Sequence, residues 1–167
     1  MPAKKSKRNP NNNASFSKWK RPVRTKLLCR QCQAVYDGKG WIAFKKMDPK
    51  MVDQLKMSIC PACHEINEYL SDGILHIRGL GVAAHQKEIV NHIIKMGKQA
   101  EENNNEDRVE RIDEGNGEIT VYTTINQLAV RIGKGVASSY KGGKLEIKWS
   151  REDKPVEVYW TYDKVKK

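Results

Sequence analysis

Two Cys-x-x-Cys pairs, Cys29-Arg30-Gln31-Cys32 and Cys60-Pro61-Ala62-Cys63, use all four cysteines of the chain and stand 27 residues apart. Each pair makes a tight knuckle in which two sulfurs reach one ion while backbone N–H groups turn toward them. Two knuckles offer four thiolates, the donor set of a tetrahedral zinc site. Any fold of this chain must therefore return residue 60 to the neighbourhood of residue 29. Four thiolates leave no open coordination position, so one structural Zn2+ is expected rather than a catalytic one. His64 follows Cys63 directly and could replace a ligand, but four cysteines already complete the shell. Two disulfides would need an oxidising compartment. A thioredoxin-type redox motif would place a single Cys-x-x-Cys at a helix start after a strand. Two matched pairs favour metal over both.

Charge is the second constraint. The chain has 167 residues and a formal net charge of +11. Residues 1–36 hold Lys4, Lys5, Lys7, Arg8, Lys18, Lys20, Arg21, Arg24, Lys26 and Arg30 without one Asp or Glu, whereas the remaining 131 residues hold 21 basic against 20 acidic. The positive charge belongs to one end, and such asymmetry points to a polyanion, most often nucleic acid. Trp19 sits between Lys18 and Lys20, so its ring can stack a base while the lysines meet phosphates; packing of that ring on its own protein is the alternative. No apolar run of about 18 residues exists to cross a membrane, and no apolar stretch follows the basic N-terminus as in a secretory signal. A cytoplasmic protein without membrane association is expected.

The chain divides into an arm, a ribbon, a sheet domain and a short tail. Residues 1–25 contain Asn9-Pro10, Asn11 to Asn13 and Arg21-Pro22 with no apolar period, and read as a disordered basic arm. Residues 26–80 read as a four-cysteine zinc ribbon. Gly40 to Phe44 forms a short strand there, Asp48-Pro49 opens a helix through Leu55, Asp72-Gly73 turns, and Ile74 to Arg78 is a strand. Residues 81–162 read as an α+β domain. A helix over 82–102 carries Val82, Ile89, Val90, Ile93, Ile94 and Met96 at helical spacing. Strands at 108–112 and 119–123 flank an Asn116-Gly117 hairpin turn. Thr124 and Gln127 form a capping box for a second helix with the stripe Ile125, Leu128, Ala129, Ile132, Val136 and Tyr140, which Gly142-Gly143 stops. Leu145, Ile147 and Trp149, then Val156, Val158 and Trp160, alternate in the last two strands. The order α-β-β-α-β-β predicts an antiparallel sheet with helices on one face. Residues 163–167 form a basic C-terminal tail.

No catalytic constellation emerges. There is no Gly-x-Ser-x-Gly and no His-Glu-x-x-His. His85 and His92 share a helix face but lack a third partner. Asp113 and Glu114 occupy an exposed hairpin end. Ile132-Gly133-Lys134-Gly135 lacks the second glycine that a KH RNA-binding loop requires, because Val136 stands there, and no Ser or Thr follows Lys134 as in a P-loop. The apolar stripe runs through both glycines in unchanged phase, which favours a plain helix. The chain is expected to be no enzyme and to take no small-molecule substrate.

Several strings together carry a resemblance: Cys-Arg-Gln-Cys-x-x-x-Tyr at 29–36, Gly-Lys-Gly-Trp at 38–41, Cys-Pro-Ala-Cys-His at 60–64, Ile-x-Gly-x-x-x-x-Ala-His at 77–85, Val-Tyr-Thr-Thr-Ile-Asn-Gln-Leu-Ala-Val-Arg-Ile-Gly at 121–133, Tyr140 to Gly143, and the final strand ending at Trp160. Over residues 20–162 the chain resembles a family of small bacterial zinc-ribbon proteins. That family is similar in turn to the zinc-bearing N-terminal half of the nonsense-mediated-decay-type adaptor of the large ribosomal subunit. The adaptor carries more cysteine pairs and further domains. The resemblance implies a ribosome or ribosomal-RNA partner.

The leading expectation is thus a zinc-ribbon protein that binds ribosomal RNA as an assembly, hibernation or quality-control factor. Cys29, Cys32, Cys60 and Cys63 hold the metal. Lys4, Lys5, Lys7, Arg8, Lys18, Trp19, Lys20, Arg21, Arg24, Lys26 and Arg30 meet the RNA. Arg131, Lys134 and Lys141 offer a second docking surface. The rivals are a DNA-binding zinc-ribbon transcriptional regulator and a zinc-stabilised protein-interaction module.

Overall fold

The computed structural model describes residues 26–46, 55–150 and 155–164. The arm, the helix expected at 48–55 apart from Leu55, most of the turn at 151–155, and the last three residues of the C-terminal tail lie outside them. The described residues form an α+β fold of three α-helices and two mixed sheets.

The first sheet is small and has the order β3-β2-β1-β4, from β1 (Leu27–Cys29), β2 (Val35–Tyr36), β3 (Trp41–Ile42) and β4 (Lys56–Ser58). β1–β2 and β2–β3 are antiparallel, as short connections demand. β4 instead runs parallel to β1, pairing Leu27 with Lys56 and Cys29 with Ser58. Two parallel strands end on the same side, so the segments after Cys29 and after Ser58 leave the sheet together. α1 (Pro61–Glu68) begins there, with Pro at its first position, where no backbone N–H is needed.

The second sheet has the order β6-β7-β5-β9-β8, from β5 (Gly73–Arg78), β6 (Val109–Glu114), β7 (Glu118–Thr123), β8 (Lys144–Lys148) and β9 (Val156–Thr161). α2 (Val82–Asn103) joins β5 to β6, and α3 (Asn126–Ser139) joins β7 to β8. β7 runs between β5 and β6, a split β-α-β unit.

Three expectations are corrected here. The strand at 74–78, grouped with the ribbon by its place in the chain, is the central strand of this sheet. Its alternation buries Gly73, Leu75 and Ile77 and half-buries Ile74 and His76, the pattern of a strand with neighbours on both edges. The sheet is also mixed, because β5 and β9 are parallel. The β8–β9 hairpin forms as expected but docks through its second strand. Val156, Val158 and Trp160 of β9 are fully or nearly fully buried, whereas Leu145 and Ile147 of β8 are only partly so, and the more apolar strand takes the interior position. Finally, the Thr124–Gln127 capping box does not form. Ile125 is the N-cap of α3 and has no side-chain cap bond, because the Thr124 hydroxyl is used elsewhere.

Both helices cover one face of the sheet. Leu75, Ile77, Ile119, Val121, Val158 and Trp160 meet Ile89 and Ile93 of α2 and Leu128, Ile132 and Val136 of α3 in one core. The stripe expected of α3 is therefore core, and its two glycines have different reasons. A Cβ on Gly133 would lie 2.7 Å from Val158 Cγ1 and within 3.4 Å of Leu75 and Leu145, so the glycine sets how closely α3 approaches the sheet. A Cβ on Gly135 would meet the flexible end of Met96.

Gly133→Ala should destabilise the fold by about 1–3 kcal/mol through overpacking. Gly135→Ala should be neutral or gain up to about 1 kcal/mol of helix propensity. Leu128→Ala should cost about 2–5 kcal/mol as a buried truncation. Urea melts of the three variants check this ordering, and equal effects of the two glycine changes would refute the close-approach explanation.

Candidate metal centre

The parallel pairing of β1 with β4 delivers the two knuckles to one place. Arg30 N–H donates to Ser58 O at 3.0 Å, lashing the first knuckle to the strand that leads into the second. Cys29 N–H donates to Ala34 O at 2.7 Å, and Gln33 N–H returns to Cys29 O at 2.9 Å. Gln33 takes a left-handed conformation (φ 61°) to close this turn. In the second knuckle Cys60 is the N-cap of α1, and its sulfur accepts the Cys63 N–H at 3.4 Å. The Cys60 N–H donates to Cys29 Sγ at 3.3 Å, so each knuckle also supports the other.

The four Sγ atoms lie within 4.8 Å of one another, and Cys32 Sγ and Cys60 Sγ are 3.6 Å apart. Tetrahedral bonds of about 2.3 Å from one ion require sulfurs roughly 3.8 Å apart. A disulfide requires about 2.05 Å, and all four cysteines are free thiols. Cys29, Cys60 and Cys63 are buried and Cys32 is half-buried, packed among Ala34, Trp41, Ala62, Tyr36 and Ile59. The donor set fits one metal ion with four protein ligands.

Electrostatics divides the sulfurs. Burial works against ionising Cys29, but the N–H groups of Cys32, Cys60 and Gln31 outweigh it and lower the thiol to about 6. Burial, with neighbouring thiolates, pushes Cys63 up to about 11 and Cys60 far above the ordinary thiol range. A cation is what allows all four to ionise together. Cys60 does stand at a helix start after a strand, the placement that redox motifs share. Unlike a lone redox pair, it belongs to a cluster of four sulfurs within 4.8 Å of one another.

Arg108, which the sequence places at the start of a strand without a role, completes the centre. It lies between α2 and β6 and is only 8% exposed. Its guanidinium donates from Nη2 to Cys32 Sγ at 3.2 Å and from Nη1 to Cys63 Sγ at 3.5 Å. Nε donates to Asn105 O at 2.7 Å and lies 3.4 Å from a Glu101 carboxylate oxygen. Burial opposes its charge, but the bond to Cys32 and the negative charge of Cys32, Glu101 and Cys60 hold it above its ordinary range. The hydroxyl of Thr124, freed from capping α3, accepts the Arg108 N–H at 2.9 Å and donates to Glu106 O at 2.6 Å. No sequence motif flags an arginine 45 residues from the second knuckle.

The other expected site residues fare unequally. Arg30 is exposed on the first knuckle, and Lys26 is half-buried just before β1. Lys4, Lys5, Lys7, Arg8, Lys18, Trp19, Lys20, Arg21 and Arg24 lie outside the described residues. His64 is on the exposed side of α1 and is not part of the donor cluster. Arg131 and Lys134 are exposed on α3, but Arg131 is paired with Asp107 at 3.3 Å. No helix among the described residues is long and apolar enough to cross a membrane.

The full chain should bind one equivalent of divalent metal, and Cys29→Ser or Cys60→Ser should abolish tight binding. Metal analysis of the purified protein and Co2+ absorption titrations read this directly; undiminished binding by both variants would refute the four-sulfur centre. Comparison with known proteins brings no match: no family model fits the chain, and neither a curated protein nor a solved structure matches it.

Proposed function

We propose that this protein is a zinc-ribbon RNA-binding protein of the cytoplasm that associates with the ribosome or ribosomal RNA, and that it is a binding protein rather than an enzyme. The observation that carries the reading is the separation of charge: ten cations and no acid in residues 1–36, running directly into a metal-ready module. Zinc is the ion that four thiolates at neutral pH favour among redox-inert metals. It would hold the module rigid, so that Lys26 and Arg30 are presented at a fixed place beside the arm.

The open face of the five-stranded sheet suits the second docking surface better than α3 does. The register places Arg111, Tyr122, Ile74, Glu157 and Lys148 in one row and Asp113, Thr120, His76, Tyr159 and Glu146 in the next, all on the face opposite the core. The Arg111 guanidinium sits 4.0 Å from the Tyr122 ring centroid and 6.0 Å from that of Tyr69. His76 stacks on Tyr159 at 4.8 Å and 17°, and Lys148 Nζ lies 4.5 Å above the same tyrosine. Tyr69 is 77% exposed and holds a left-handed conformation at the end of α1. Glycine would favour that conformation, so an aromatic ring is kept there at a cost. Planar groups of this kind accept unpaired bases by stacking. Their cations are already partnered, Arg111 by Asp113 and Arg78 by Glu118, so the face contributes planes and the arm contributes charge.

Gradient sedimentation of native lysate with crosslinking tests the reading. The full chain is expected in ribosomal fractions with crosslinks to RNA. Deleting residues 1–24 should flatten the salt dependence by roughly 0.7–0.9 in log–log slope for each phosphate that the arm neutralises. Trp19→Ala and Tyr122→Ala should each cost about 1–3 kcal/mol of RNA affinity with little change in slope. A protein that stays at the top of a low-salt gradient, or that prefers duplex DNA or a purified protein partner, would overturn it.

A further inference from the structure

We propose that Arg108 is a positioning residue of the metal centre, and that through it metal loading is felt by the β6–β7 edge of the five-stranded sheet. The inference rests on metal occupying the four-cysteine cluster.

Four thiolates around a divalent ion carry a net charge of −2 in a largely buried pocket. Such charge is costly unless neutralised and hydrogen-bonded nearby. Arg108 supplies both. Its fork gives one N–H to a sulfur of each knuckle, Cys32 in the first and Cys63 in the second, and reduces the charge of the assembly to −1. The planar guanidinium suits this task because its donors are fixed in one plane; a lysine would bring the charge as a single point. The dependence runs both ways. A guanidinium only 8% exposed needs anions, and Glu101, its carboxylate partner, is half-exposed. The thiolates are therefore a principal reason for Arg108 to remain inside.

The backbone that carries Arg108 is fastened at several points. Asn104 side-chain N–H donates to Asp107 at 2.7 Å, and Asp107 N–H donates to Asn104 O at 3.0 Å. Thr124 ties the segment from the other side, through its hydroxyl and through its own N–H to Arg108 O at 3.0 Å. Arg108 immediately precedes β6, and Thr124 immediately follows β7. A shift of the guanidinium thus acts on the start of one strand and the end of its hairpin partner. Binding free energies are reciprocal. If Arg108 tightens metal binding, metal must tighten the hold on the segment that presents Arg108.

The experiment uses the full chain as wild type, Arg108→Gln and Arg108→Lys, with Zn2+ affinity from competition against a chromophoric chelator. Co2+ spectra and amide hydrogen exchange supply the further readouts. Removing an outer partner of a metal ligand typically weakens metal binding 10–100-fold, and that loss is expected for Arg108→Gln. Arg108→Lys should fall between it and wild type. The sulfur-to-Co2+ charge-transfer band should shift in both variants, a signature that a mere packing residue does not produce. Metal should slow amide exchange across 109–114 and 118–123 in wild type and do so markedly less in Arg108→Gln. Should the glutamine variant fail to fold, Arg108→Lys decides alone: wild-type affinity with an unshifted band overturns the proposal. A folded glutamine variant within about threefold of wild-type affinity, or with an unchanged metal effect on exchange, overturns it equally. A wild-type chain that takes up no metal removes the metal reading itself, whereas normal metal uptake with indifferent Arg108 variants removes this inference alone.

Discussion

Gathering four cysteine sulfurs around one buried point is the demand that organises this molecule. It is met first by backbone geometry. The parallel β1–β4 pair brings both knuckles to one end of a small sheet, and the amides of Gln31, Cys32, Cys60 and Cys63 turn toward sulfur. It is met second by a cation from elsewhere in the chain, since Arg108 reaches two of the sulfurs from the boundary of α2 and β6. Amides alone lower one thiol, while burial raises two others. A metal ion held by the cluster would resolve that conflict.

The same economy of polar groups runs outward from the centre. Thr124 stands where a helix cap is expected, yet its hydroxyl serves the Arg108 segment. A cap bond and a bond to a buried loop are each worth roughly 1 kcal/mol. In the first turn of α3 Gln127 is exposed, so its N–H can turn to water, whereas the buried Arg108 N–H cannot. The buried demand therefore wins. The aromatic ring at Tyr69, in a conformation that glycine prefers, shows a comparable local compromise at the end of α1.

The two halves divide the labour that the proposed function needs. The arm and first knuckle concentrate cationic charge, which would give long-range attraction to a polyanion and salt-sensitive affinity. The open sheet face offers flat rings and two guanidinium planes, each paired with a carboxylate, which would give short-range stacking without that sensitivity. Arg108 links the cysteine cluster to the five-stranded sheet, because its guanidinium bonds Cys32 and Cys63 from the residue that precedes β6.

The cysteine cluster was legible from the sequence because its chemistry is written in four residues of one type at fixed spacing, two matched pairs that a single four-coordinate ion would use together. The helices and hairpins were legible for a similar reason: periodicity, the Asn116-Gly117 turn and the stripe through Leu128, Ile132 and Val136 are properties of short stretches of chain. Three things were decided only by tertiary structure. Strand 73–78 could pair with whichever sheet lay beside it, and its central place follows from competition among strands for the interior, as does the inner position of β9 over β8. The parallel pairing of β1 with β4 joins residues far apart in the chain, Leu27 with Lys56, a separation at which local pattern says nothing about strand direction. Arg108 became a partner of the thiolates because folding put its fork beside Cys32 and Cys63, 76 and 45 residues away. An arginine on its own reads as a surface charge, and only burial against the cysteine sulfurs makes it part of the candidate metal centre.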